Sequence, residues 1–349
     1  MRPNASDGAR VLIVGNPENF HVGGHLIEAA VDAGFDVRVC DVRRAFDGPA
    51  WLRRLSWRFH DRSPLKLTAF GRSVVDACEE FAPTWLVATG IAPLTASVLA
   101  RVGALGVARI NYLTDDPWNP AHRASWFLDA LAHYDHVFSP RRANLADVRS
   151  AGCANATFLP FAYSERMHAR AAEADRDEAG ADVVFVGGAD ADRVTALEPL
   201  LAAGVDVRLY GSYWDRVRAA RRAARGHADP ATIRRVTASA RIALCLVRRA
   251  NRDGHVMRSF EIPAIGACML AEDTPEHREL FGAPGEAVEY FSGGADLVRE
   301  VRALLGDAAK RARLADAAHR LMTAGGHTYR HRLVTMLGRA GRGALQETA

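Results

Sequence analysis

Short apolar runs recur along the chain and alternate with segments whose apolar residues fall at helical spacing. Residues 11–15, Val-Leu-Ile-Val-Gly, read as a buried parallel strand, since a strand covered on both faces is apolar at every position. The loop from Asn16 to Gly24 and a helix over 25–33 follow. Gly34 caps that helix, and 35–40 form a second strand. Strand, glycine-containing loop, helix and strand make the opening unit of a doubly wound sheet. The loop lacks Gly-x-Gly-x-x-Gly spacing, so no dinucleotide fingerprint is read from it. Further strands are expected over 85–89, 108–113, 135–139 and 156–161.

From 164 to 181 the sequence becomes rich in Arg, Ala, Glu and Asp without a buried strand, the composition of an interdomain linker. Residues 182–188, Asp-Val-Val-Phe-Val-Gly-Gly, then repeat the opening of the first half, with a helix over 190–203 and a strand over 205–211. A repeat of this kind predicts two Rossmann-like α/β domains. The expected boundaries are 1–165, a linker at 166–181, 182–325, and a closing helix and tail at 326–349. Within the second half, strands are expected at 242–247, 268–271 and 287–291, and helices at 293–305, 307–323 and 327–337. Residues 216–235 carry seven arginines at helical spacing. They read as a solvated helix face or as a contact to an anionic acceptor or membrane.

At 349 residues the chain is long enough for two cores, and 49% apolar with 25% charged is ordinary globular composition. Of 45 basic residues only Lys66 and Lys310 are lysine, a compositional bias without functional meaning. A net charge of +4 is too mild to argue for nucleic acid. The five cysteines are scattered singly, which reads as reduced, buried thiols in a cytoplasmic protein rather than disulfides or a metal site. The polar N-terminus and the lack of a long apolar window predict neither a signal peptide nor a membrane span.

Chemistry concentrates in 253–266, after an apolar strand and the basic loop 248–252. A helix opens there, carrying Glu261, with Pro263 in its first turns. Its free N–H groups and Arg258 face anionic oxygens, while Glu261 can accept from sugar hydroxyls. Gly187 and Gly188 let the backbone approach a diphosphate, or form only a tight turn. Asp115 and Asp116 follow a strand, where ligands of open α/β sheets sit. Either could be a base, and one could instead cap the next helix. The basic-aromatic stretch 51–72 reads as an amphipathic helix with its aromatics in the core, or as a face for an anionic acceptor or membrane surface.

Residues 258–277, Arg-Ser-Phe-Glu-Ile-Pro-Ala-Ile-Gly-Ala-Cys-Met-Leu-Ala-Glu-Asp-Thr-Pro-Glu-His, closely resemble the C-terminal half of the CgeB-like (spore maturation protein type) group of family-1-like glycosyltransferases. Asp-Asp-Pro at 115–117, Tyr-Asp-His-Val-Phe-Ser at 134–139, Leu-Pro-Phe-Ala at 159–162 and Thr-Tyr-x-x-Arg at 328–332 resemble it too. The resemblance runs with gaps from about 111 to 337 and is weak before 100. It implies the GT-B fold: two Rossmann-like doubly wound domains facing a cleft, with a C-terminal helix crossing back to the first domain. It also implies that the second domain binds a nucleotide-diphosphate sugar.

Asp253 and Glu261 stand at the spacing of the two-glutamate motif of related retaining enzymes, with Asp in place of the first Glu. Asp253 or His255 would touch the donor sugar, with Ser259 beside Arg258, and Tyr210 and Gly211 would lie at the nucleotide base, with the aromatic there stacking on the base or serving core or lid packing. The resemblance places the first loop at the cleft. His21 and His25 there are either bonded to backbone or one of them is the catalytic base or an acceptor contact, His21 first. Ser139 and residues 160–162 would line the cleft. The implied activity is metal-independent, hexosyltransferase-like transfer from a nucleotide sugar, UDP-linked, to a hydroxyl acceptor. No cofactor is implied beyond that donor substrate, and the partners are donor and acceptor, no nucleic acid, with peripheral membrane contact open. A nucleotide-sugar epimerase or hydrolase of the same fold, or a non-catalytic nucleotide-sugar-binding protein, remain the alternatives.

Overall fold

A computed structural model describes residues 9–170, 172 and 180–344. Much of the expected linker, most of the polar N-terminus and the final tail lie outside the described residues. Chain contacts divide the protein into two units, Met1–Pro160 with Tyr329–Ala349, and Phe161–Thr328.

In the first unit, β1 (Arg10–Gly15), β2 (Asp36–Asp41), β3 (Trp85–Thr89), β4 (Ala108–Tyr112), β5 (His136–Ser139) and β6 (Ala156–Phe158) form one parallel sheet ordered β2-β1-β3-β4-β5-β6. Val11 through Val14 are fully buried, as a strand covered on both faces demands. The covering helices are α1 (Val22–Asp32), α2 (Ala50–Phe59), α3 (Leu67–Phe81), α4 (Ala96–Ala104), α5 (Ser125–Ala130) and α6 (Ala143–Ser150). Helix α1 starts three residues earlier than the sequence predicted. Gly23 and Gly24 belong to its first turn, because the preceding loop folds over them: a Cβ on Gly24 would lie 2.2 Å from the Glu18 carbonyl oxygen. Their role is close approach rather than loop flexibility.

A second departure concerns 51–72. The stretch contains two helices, and the first keeps its aromatics outside: Trp51, Trp57 and Phe59 are exposed, while Phe70 on α3 enters the core.

In the second unit, β7 (Val183–Val186), β8 (Val207–Tyr210), β9 (Ala224–Gly226), β10 (Ile242–Cys245), β11 (Met269–Glu272) and β12 (Glu289–Phe291) form a parallel sheet ordered β12-β11-β10-β7-β8-β9. Helices α7 (Ala191–Ala202), α8 (Pro230–Ser239), α9 (Arg258–Ile265), α10 (Pro275–Phe281), α11 (Gly294–Gly306) and α12 (Ala308–Ala324) flank it. The arginine-rich 216–235 is not one helix. Two short 3-10 turns and the edge strand β9 occupy its first part, and α8 begins only at Pro230, capped by the Asp229 carboxylate accepting from Thr232 N–H. The β8 edge captures this backbone, since Leu209 N–H donates to Ala223 and Gly211 N–H to Gly226.

The last helix, α13 (Tyr329–Ala344), belongs to the first unit, where it packs on α1 and β4. Among the described residues no helix is long and apolar enough to cross a membrane.

Strand order reverses between β1 and β3 in one sheet and between β7 and β10 in the other. Loops leaving the carboxyl ends at such points form the binding crevices of open α/β sheets.

Candidate functional site

In the second unit, β7 runs into Gly187 and Gly188 and β8 into Gly211. The Gly187 N–H donates to the Tyr210 carbonyl at 2.8 Å, and the Gly187 carbonyl accepts from the Trp214 indole at 2.7 Å. Gly211 has φ +131, and a Cβ there would sit 2.5 Å from the Gly187 oxygen. These glycines bring two loops together. Gly187 keeps no spare amide for a diphosphate, which corrects the expectation for that residue.

The cation that fills the position is one the sequence reading passed over. Arg193, in the first turn of α7, folds back so that Nη1 donates to the Gly188 carbonyl at 3.1 Å and lies 3.5 Å from Asp190, the N-cap of the same helix. Its guanidinium stands over the Phe185 ring, 5.5 Å from the centroid. Burial pushes its pKa below the usual arginine range, opposed by Asp190 and, further off, by Asp253, with Arg248 also in electrostatic reach. A signal existed in Asp190-x-x-Arg193 directly after the glycine loop, an N-cap acid three residues before a cation.

Arg258 opens α9 and reaches the same strand end, with Nε 3.4 Å from the Val186 carbonyl. It is ion-paired to Glu261, which is buried. The other Glu261 oxygen lies 3.8 Å from Nε2 of His168. The structure thus groups Gly188, Arg193, Arg258 and Asp253 around the β7 and β10 ends, with Glu261 just beneath.

Three expected donor contacts are committed elsewhere. Ser259 is fully buried: its hydroxyl bonds Nε2 of His277 at 2.7 Å and accepts from Val256 N–H at 3.0 Å. Nδ1 of His277 faces the Glu272 carbonyl at 2.7 Å, so that nitrogen carries the proton, and burial lowers the pKa of the ring. The chain Glu272–His277–Ser259 anchors the start of α9. His255 is likewise buried, its Nε2 accepting from Phe161 N–H at 3.3 Å between the Phe161 and Phe260 rings. Tyr210 is buried in β8, whereas Tyr213 presents an open ring, 55% exposed, with the Arg216 guanidinium 4.7 Å from its centroid.

In the first unit, the loops after β1, β3 and β4 meet. Nε2 of His21 lies 3.5 Å from Glu18. Burial lowers the His21 pKa, and the charges of Glu18 and then Asp115 oppose that. Gly90, at φ +60, leaves room for Asp115, whose carboxylate would stand 2.8 Å from a Cβ there. Asp116 is different: it is 1% exposed and accepts from Trp118 N–H at 3.0 Å and from the Asn144 amide at 3.2 Å. His25 lies inside α1, buried and stacked on Tyr329 at 4.7 Å. Asp115 and His21 are therefore brought together, and Asp116 and His25 are held by the core.

Residues 193–338 match the family described as Glycosyl transferase-like. No curated protein matches the sequence. Among solved structures, sucrose-phosphate synthase from Thermosynechococcus elongatus aligns over 97% of this chain and 100% of its own, with TM-score 0.69 and 13% identity. Anabaena HepE in complex with UDP-glucose aligns over 97% and 99%, with TM-score 0.62 and 14% identity. UDP-GlcNAc 2-epimerase from Neisseria meningitidis, bound to UDP-GlcNAc, aligns over 95% and 100%, with TM-score 0.55 and 12% identity. These likenesses show the fold, which is GT-B.

Proposed function

We propose that this protein is a metal-independent glycosyltransferase of the CgeB-like group, hexosyltransferase-like, moving a sugar from a UDP-linked donor to a hydroxyl acceptor. The observation that carries the reading is that two guanidiniums, Arg193 and Arg258, stand at one strand end, hydrogen-bonded to the carbonyls of Gly188 and Val186. Glycosyl transfer builds negative charge on the leaving diphosphate, and something must neutralise it. Two preorganised cations and the N-terminus of α7 supply that charge without a metal ion. Arg258 takes the pyrophosphate, and Glu261 fixes the guanidinium and accepts from the ribose. Asp253, in the field of Arg193, meets the donor sugar. On the acceptor side, Asp115 or His21 removes the hydroxyl proton as the new bond forms.

The family match over 193–338 favours transfer. A structural neighbour bound to UDP-GlcNAc that is named an epimerase keeps a second reading in view. A thermal-shift screen against nucleotide sugars, followed by product analysis with and without hydroxyl acceptors, tests both. Stabilisation by a UDP-sugar and acceptor-dependent release of UDP is expected. Turnover of the sugar without acceptor would move the assignment to the epimerase, and no stabilisation by any nucleotide sugar would overturn both.

A further inference from the structure

We propose that α2 seats the protein on an anionic lipid bilayer. The helix is tethered on one side only: Ser56 is buried, its hydroxyl donating to the Ser63 carbonyl at 2.8 Å, and Leu52 is half-buried. Trp51, Leu55 and Phe59, spaced by four, form an apolar stripe on the open side and are 66%, 47% and 70% exposed. Trp57 is exposed at the opposite edge of the open arc. Arg54 and Arg58 fill the arc between, Arg53 lies beyond Trp57, all three are exposed, and residues 50–60 contain no acid. With Phe46 and Ala50 these side chains line one open groove.

Large aromatics at this exposure cost free energy in water unless something covers them. The charge selects the occupant. A second copy docking α2 on α2 would oppose three arginines with three arginines. The nearby acids are already engaged, Asp61 with the Ser125 N–H and hydroxyl and Asp47 with Lys66. An anionic bilayer satisfies both features, since aromatics settle at the headgroup boundary while guanidiniums bind lipid phosphates. This inference goes beyond donor chemistry and does not rest on it.

Vesicle co-sedimentation of the full chain tests it, using phosphatidylcholine alone and phosphatidylcholine with about one third phosphatidylglycerol, at low and at high salt. The expected result is binding to the anionic vesicles only, weakened by salt. Two double variants, Trp51→Ser with Phe59→Ser and Arg54→Glu with Arg58→Glu, are each expected to lower the apparent affinity roughly tenfold or more. Because these side chains lie on the surface, unfolding temperature and donor-induced shift should match the parent. A parent protein that stays in the supernatant with anionic vesicles, or variants that bind as it does, would overturn the proposal. So would an α2-dependent dimer, or capture by an acidic protein, in the absence of vesicle binding.

Discussion

Arg258 and Glu261 are ion-paired one helical turn apart, and the carboxylate is 1% exposed. A buried charge that loses its partner is costly, so the two residues should respond unequally to substitution. Arg258→Ala strands Glu261 and is expected to cost about 2 to 3 kcal/mol of stability. Glu261→Gln keeps the volume and leaves a half-buried arginine that can turn to solvent, at about 1 kcal/mol. Combining the two should recover part of the loss from Arg258→Ala. Urea unfolding of the three variants checks this order. A donor-induced shift that survives Glu261→Gln unchanged would remove Glu261 from the binding site.

Arg193 holds the Gly188 carbonyl from below the glycine loop, and its guanidinium is the more buried of the two cations there. Arg193→Ala should weaken UDP binding by about 2 kcal/mol, roughly thirtyfold, the range for a hydrogen bond to a charged group. Arg193→Lys should recover only part, because a point charge cannot serve the carbonyl and a phosphate together as a guanidinium fork does. Calorimetric titration with UDP measures this directly. Unchanged affinity in Arg193→Ala would leave Arg258 as the sole cation contributing at that strand end.

Most strands of both units were legible because buried parallel strands are apolar throughout, as 11–15 and 183–186 are, whereas the edge strand β9, Ala-Arg-Gly among arginines, carried no such pattern. Glycines after β1 and β7 marked a strand-to-helix join in each unit, but the start of α1 was misplaced because Gly23 and Gly24 lie inside its first turn. Side-chain direction was not. Helical spacing marks α2 as two-faced without saying which face meets the protein, and the structure tethers it by Ser56 rather than by its aromatics. Arg193 escaped notice because its role depends on a fold-back onto Gly188, which spacing along a helix does not encode. Ser259 and His255 stand in the right stretch, yet His277, 18 residues on, and Phe161, 94 residues before, claim their polar atoms.

His136 links stability to pH. Burial, with Arg339 adding to it, pulls its pKa from 6.5 down to about 4, while Nε2 bonds the Thr157 hydroxyl at 2.8 Å. The folded state therefore favours the neutral ring. That stability is fully present above pH 6.5, the unfolded value, and is lost as pH falls toward about 4. The ring is only partly buried, so solvent screening leaves a loss of roughly 1 kcal/mol between pH 7 and about 4.5. His136→Gln, which cannot titrate, should show a flatter fall in urea midpoint over that window. Equal slopes in parent and variant would mean the ring stays accessible to protons in the fold.

Asp115 and Asp116 are adjacent in sequence and should separate cleanly in assay. Asp116 serves Trp118 and Asn144 from within the core, so Asp116→Ala is expected to cost about 2 kcal/mol of stability through two stranded donors. Asp115→Asn should leave stability and donor binding near the parent and cut transfer by at least about tenfold, whether Asp115 is itself the base or supports His21. The pH profile distinguishes those roles. If His21 is the base, it must be neutral to act, and its lowered pKa lets kcat/KM hold below pH 6.5 before an acid limb appears. Glu18 and Asp115 both raise that pKa, so Glu18→Gln should move the limb to still lower pH, and Asp115→Asn, where residual activity allows, should do the same. A limb that stays in place in Glu18→Gln, with activity abolished by Asp115→Asn, would assign the proton transfer to the carboxylate instead.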